Sequence, residues 1–360
     1  MTELTAEPGP GADTSPTGVA APGAGLPDSS DGALLRTDKL TRHFKIGGAL
    51  SRRTLHAVDE VSLSVGSREI VALAGESGSG KSTIARLLAK VYSPTSGEIY
   101  FEGKPISSIR NRSDRLRYSG LAPMVFQDPF ASINPVFRVS HGVLRGMKLH
   151  RPELSAQQRD EEALRVFDVV GLTPAADVLQ RYAHELSGGQ RQRVGFAQAL
   201  AMRPKLIIAD EPVSMLDVSI RIGLLNLMVK LRDEEDVSIL YITHDLASAR
   251  YVADRLVIMY AAMLAESGPM EEVLARPKHP YTQLLLSAVP DPRAPLGVSA
   301  ETDRGEPPRV IDPTPGCRFR WRCPLAIDIC HTVTPEMQPI GPGHEVACHV
   351  AQSGAEVKAF

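Results

Sequence analysis

Eight consecutive residues restrict the fold of this chain more than any other segment: Gly75-Glu76-Ser77-Gly78-Ser79-Gly80-Lys81-Ser82, continued by Thr83. They stand between an apolar run at 69–74 that reads as a strand and a stretch at 81–92 with helical spacing. Strand, glycine-rich loop and helix in that order make a phosphate-binding loop. Glycines let backbone N–H groups curl around a phosphate, and the helix start adds positive potential. Lys81 is then placed to reach terminal phosphates and Ser82 to offer a hydroxyl to Mg²⁺.

From residue 34 onward, short β-rich runs alternate with helical stretches, the rhythm of an α/β domain. Segments 63–65, 69–74 and 98–102 read as strands, and 155–170 and 190–201 as helices. Two largely apolar runs, 206–210 and 238–242, read as buried parallel strands. The first ends in Asp210-Glu211, which sets two carboxylates at the edge of an α/β sheet where ligands bind. Asp210 suits Mg²⁺ held through water, and Glu211 suits a water that attacks a terminal phosphate.

Charge and composition narrow the setting. Forty Lys and Arg against forty-two Asp and Glu give a net charge of −2, which disfavours a nucleic-acid-coating role. No apolar run approaches the roughly 18 residues that cross a bilayer. Residues 1–32 hold no Lys or Arg and many Gly, Pro, Ser and Thr, so 1–33 is expected to be a disordered tail with no secretory signal. All four cysteines fall in the last 44 residues, which points to a reducing compartment.

Four further motifs carry a family resemblance. Leu186-Ser187-Gly188-Gly189-Gln190 resembles the signature of ABC-type ATPases, and it opens the helix expected at 190–201. Gln127, in Met124-Val125-Phe126-Gln127-Asp128, resembles the Q-loop glutamine. The stretch Ser214-Met215-Leu216-Asp217 resembles the D-loop, and His244 after Tyr241-Ile242-Thr243 the switch histidine. The resemblance implies a nucleotide-binding domain with a RecA-like core, an antiparallel β subdomain and a helical signature subdomain at about 130–182. It implies ATP with Mg²⁺ held by Ser82, Gln127 and Asp210, and hydrolysis by Glu211 with His244 and Gln127. Ser187, Gly188, Gly189 and Gln190, with Asp217, would act on ATP bound to a second subunit, and Phe44 is the aromatic expected to stack on adenine.

The extended Q-loop at 126–135, the segment at 279–290 beginning His279-Pro280-Tyr281-Thr282, and the cysteine-bearing end at 316–349 resemble the oligopeptide/dipeptide importer ATPases. The expected organisation is a tail at 1–33, an ATPase domain at 34–292, a Pro-rich linker at 293–315 and a C-terminal domain at 316–360. Met215, Gln198 and Ala262-Met263 depart from the family pattern. Cys317, Cys323, Cys330 and Cys348 have five, six and seventeen residues between them, without the paired spacing of a zinc ribbon. A [4Fe–4S] cluster, which some members of the resembled family carry, zinc and free thiols all stay open. Arg318, Arg320 and Arg322 suit either a cluster's counter-charge or a solvated basic face.

The resemblance implies a peripheral ATPase on the cytoplasmic face of the membrane. Its partners would be two transmembrane permeases, a second ABC ATPase (a copy or a paralogue) and an extracytoplasmic binding protein, with oligopeptides as cargo and oligosaccharides or nickel as alternatives. A soluble ABC ATPase of DNA repair or translation is the reading from another class. Those usually carry a long coiled-coil insertion or a second ATPase domain, and neither is present.

Overall fold

The computed structural model describes residues 32–47, 53–128, 133–288 and 308–358. Nearly all of the tail expected at 1–33, most of the linker expected at 293–315 and the middle of the extended Q-loop lie outside them. Two sheets organise the described residues. The smaller runs β2 (Arg53–Val61), β1 (Leu35–Ile46), β5 (Ser96–Phe101) and β6 (Lys104–Pro105), with β3 (Ser64–Val65) also on β1, and every pairing is antiparallel.

The larger sheet has a parallel centre, β4 (Ile70–Ala74), β9 (Ser238–Thr243), β8 (Leu206–Asp210) and β7 (Met124–Val125). On its other flank follow β10 (Arg255–Tyr260), parallel to β4, then β11 (Met263–Pro269), β13 (His344–Val346) and β12 (Gln338–Gly341). All residues of β4, β8 and β9 are buried, as their largely apolar runs require of strands covered on both faces. Side chains alternate across the pleat. Ile70, Ala72 and Ala74 face a core built with the helices at Val139–His150, Ala156–Val169 and Gly188–Leu200. Val71 and Leu73 face a second core with the helix Lys81–Leu88 and the smaller sheet. The α/β expectation with an antiparallel and a helical subdomain is therefore met.

Three boundaries differ from expectation, each for a local reason. The first helix stops at Leu88 rather than residue 92, because Lys90 takes φ 57° and ties its ammonium to the carbonyls of Ile106 and Ile109 at 2.6 and 2.9 Å. The signature helix starts at Gly188, two residues early, with Ser187 as its cap. The cysteine-bearing end adds β12 and β13 to the main sheet, and residues 308–312 of the expected linker dock on β2, where His56 N–H donates to Val310 O at 2.8 Å. Among the described residues no helix is long and apolar enough to cross a membrane.

Candidate active site

The loop that follows β4 depends on glycine where other backbone comes close. Gly75 (φ 152°) would set a Cβ 2.1 Å from Met259 O, and Gly80 (φ 112°) one 2.2 Å from Ala57 O, so neither place admits a side chain. Gly80 caps the helix that begins at Lys81, where the first amide groups are free to meet an anion. The Lys81 ammonium is buried and donates to the carbonyls of Gly75 and Glu76 at 2.7 and 2.8 Å. Burial lowers its pKa, against the charges of Glu211, Asp210 and Glu76, which raise it.

Opposite the helix start, Ser82 donates to Asp210 Oδ1 at 3.1 Å. Burial and then the neighbouring Glu211 hold the Asp210 carboxyl above the usual carboxylate range, although Ser82, Arg86 and Lys81 pull the other way. A buried carboxylate beside a hydroxyl offers the hard oxygen ligands that a divalent cation takes. Glu211 turns the chain at φ 46°, a left-handed conformation that costs a non-glycine residue about 1 kcal/mol, while its N–H donates to Ile242 O at 2.9 Å. Its carboxylate meets two groups from different elements: Gln127 Nε2 donates to it at 3.2 Å, and His244 Nδ1 lies 3.2 Å away. The structure thus brings Lys81, Ser82, Gln127, Asp210, Glu211 and His244 to one edge of the sheet.

The other sequence-identified residues stand elsewhere. Ser187 Oγ accepts from Gln190 N–H at 3.2 Å and Gln190 Oε1 from Ser187 N–H at 3.0 Å, so the pair closes on itself. Gly189 packs so tightly that a Cβ would lie 2.3 Å from Ile220 of the helix Val218–Glu234, which Asp217 precedes. Among the described residues no hydrogen bond joins 187–190 to the phosphate loop. Met215 and Asp217 are exposed. Phe44 on β1 is half-buried, with Tyr92 at its edge (5.6 Å between centroids) and the Arg42 guanidinium 4.5 Å from its ring centre.

Residues 58–214 match the family model described as ABC transporter, and 265–330 match the oligopeptide/dipeptide transporter C-terminal region. The oligopeptide transport ATP-binding protein AppF of Bacillus subtilis is 41% identical over 322 residues, covering 88% of this chain and 97% of AppF. The chain belongs to the oligopeptide/dipeptide branch of the ABC transporter ATPases. Among solved structures, the cassette MJ0796, in a dimeric post-hydrolysis state bound to ADP and Pi, superposes with a TM-score of 0.57 at 26% identity over 66% of this chain and 98% of its own. The cassette cbiO1 of Clostridium perfringens superposes at 0.58 with 25% identity, over 68% and 92%.

Sequence reasoning missed how this ABC ATPase fastens its C-terminal segment to the phosphate loop. Tyr281 Oη accepts from Glu76 N–H at 2.8 Å, and Arg322 pairs with both oxygens of the Glu76 carboxylate at 2.7 and 2.9 Å. Motif spacing carries no signal for either contact, since they join residues 205 and 246 positions apart. The basic residues near the cysteines are accordingly not a solvated face: Arg318 binds Asp59 and the Ala261 carbonyl, and Arg320 donates to Cys317 O and Thr314 Oγ1 at 2.9 Å each.

Burial pushes the thiols of Cys317 and Cys348 up, Cys317 to about 12; backbone hydrogen bonds pull the other way, and neighbouring Cys330 adds to the rise. Among the described residues no three cysteine sulfurs draw into a tight ligand set, whereas one zinc ion needs four at about 3.8 Å from one another. His43, His56 and Asp59 do bring three such atoms together, but Arg318 already holds the Asp59 carboxylate, and a cation there would face a guanidinium.

Proposed function

We propose that this ATPase energises the uptake of oligopeptides or dipeptides, as the energy-coupling subunit of an importer. The observation that carries the reading is the Glu211 carboxylate held between Gln127 and His244, beside the Ser82–Asp210 pair and Lys81. Lys81 leaves its two carbonyl partners to bind the β- and γ-phosphates. Ser82, Asp210 and Gln127 would hold Mg²⁺, which would supply positive charge to the terminal phosphates. Glu211 accepts a hydrogen bond from the attacking water and polarises it. With Nδ1 toward Glu211, His244 keeps Nε2 for the γ-phosphate. Phe44 receives the adenine.

Ser187, Gly188, Gly189 and Gln190 at their helix start cap the nucleotide of a second ABC ATPase, a copy or a related chain, with Asp217 beside that interface. The helical subdomain receives the permeases, which places the protein on the cytoplasmic face of the membrane. Peptide rather than sugar or nickel cargo is supported by the naming of relatives such as AppF. A [4Fe–4S] cluster, if the chain holds one, would take Cys317, Cys323, Cys330 and Cys348 as its four thiolate ligands. Iron analysis of the anaerobically purified chain tests that part.

The test of the whole is gentle isolation of the tagged protein from detergent-solubilised native membranes, with mass spectrometry of what accompanies it. Two permeases, a second ATPase and a binding protein are expected. Recovery from the soluble fraction alone, with ribosomes or DNA enzymes, would contradict the importer reading.

A further inference from the structure

Seven residues, 317–323, reach from the cysteine-bearing end toward the nucleotide edge, and they are fixed at several points. Arg318 binds Asp59 and Ala261 O. Phe319, 1% exposed, packs edge-on against Tyr260 and tilted against Tyr281, at centroid distances of 5.2 and 5.5 Å. Arg322 lies 5.7 Å from the ring centres of both Tyr260 and Phe319, and from there its guanidinium makes the paired contact with Glu76. The side chains of Arg322 and Glu76 are only 10% and 25% exposed, so water screens this pair weakly.

Glu76 is the second residue of the phosphate loop, and its charge is wrong for that place. A carboxylate there repels an incoming triphosphate, and it attracts the Lys81 ammonium, which already binds the Glu76 carbonyl at 2.8 Å. Two planar hydrogen bonds from a guanidinium both cancel that charge and fix its direction. Tyr281, fully buried, holds the backbone N–H of the same residue.

We infer that Arg322 is a positioning residue of the nucleotide site: by neutralising and orienting Glu76, the C-terminal segment sets the affinity of the phosphate loop for ATP. This rests on the reading of 75–83 as the ATP site. The C-terminal region is thereby part of the ATPase machinery without touching the reacting atoms.

The experiment is equilibrium binding of ATP to the full chain, for wild type, Arg322→Gln and the double variant Glu76→Gln/Arg322→Gln. The single variant leaves an uncancelled, half-buried carboxylate beside the phosphates, and its Kd is expected to rise about tenfold. The double variant removes that carboxylate and is expected within about threefold of wild type. A merely structural arginine would weaken both variants alike. A Kd in the double variant as high as in the single, or a single variant within twofold of wild type, overturns the inference. If Arg322→Gln does not fold, Arg322→Lys keeps the charge but loses the paired geometry; its Kd is expected to rise about threefold, and no rise overturns the inference. Wild type that binds no ATP would sink the underlying reading as well, which separates the two failures.

Discussion

The phosphate-loop end and the signature end of this ATPase are built on opposite plans. At the first, six polar side chains converge from the helix at Lys81, the segment after β7 and the ends of β8 and β9; five of them pair across the site, and Lys81 holds two carbonyls of its own loop. At the second, the side chains of Ser187 and Gln190 bond to each other's backbone N–H, and Gly189 between them packs on Ile220 of the helix that follows Asp217. On the proposed reading the first end is the catalytic half-site and the second caps the nucleotide of another chain.

The sharpest way to break that contrast is to remove the carboxylate at its centre. Glu211→Gln keeps the hydrogen bond from Gln127 but loses the base, so turnover is expected to fall about a thousandfold with ATP still bound; unchanged hydrolysis would take Glu211 out of its role. Ser187→Arg attacks the other end. Turnover should drop a few hundredfold while the Kd for ATP stays within threefold, and an equal loss of binding would mean that the signature serves its own chain's site.

A third way exploits the support that only the phosphate end has. His279 caps the helix Pro280–Ser287 through Nδ1, which accepts from Tyr281 N–H at 3.0 Å, and that helix carries Tyr281 to Glu76. Burial pushes the imidazole down to about 4 from an ordinary 6.5. The unfolded chain therefore binds a proton that the folded one refuses. This contribution is complete above pH 6.5 and is lost as pH falls toward 4, by about 3 kcal/mol in all. Denaturant unfolding of wild type and His279→Asn across that window should show the slope in wild type and a flatter profile in the variant. The smallest effect concerns the turn between β10 and β11, where Ala262 takes φ 73° and its N–H donates to Ser79 O at 2.9 Å. Ala262→Gly is expected to add up to about 1 kcal/mol of stability by the same measurement, and a loss would mean that the turn is unstrained.

Much of the nucleotide edge was legible because its chemistry demands residue types at fixed spacing. The loop at 75–83 needs glycine where Met259 O and Ala57 O crowd it, and the strands β8 and β9 announce themselves by largely apolar runs. Local signals failed where a distant residue decides. The first helix is cut short by Lys90 reaching the carbonyls of Ile106 and Ile109, and helical periodicity at 81–92 says nothing of that. The docking of Arg322 on Glu76 was invisible because a basic residue near a cysteine reads equally well as a counter-charge or as surface. Ala262 departs from the family pattern, and in the structure it takes a left-handed conformation that favours glycine.

The claim that the two ends complete each other between chains is tested most directly by light scattering on Glu211→Gln with and without Mg²⁺ and ATP. The expected result is a mass of one chain, 38.9 kDa, without nucleotide and about twice that with it, lost again when Ser187→Arg is added. A protein that binds ATP and stays at the mass of one chain would contradict it.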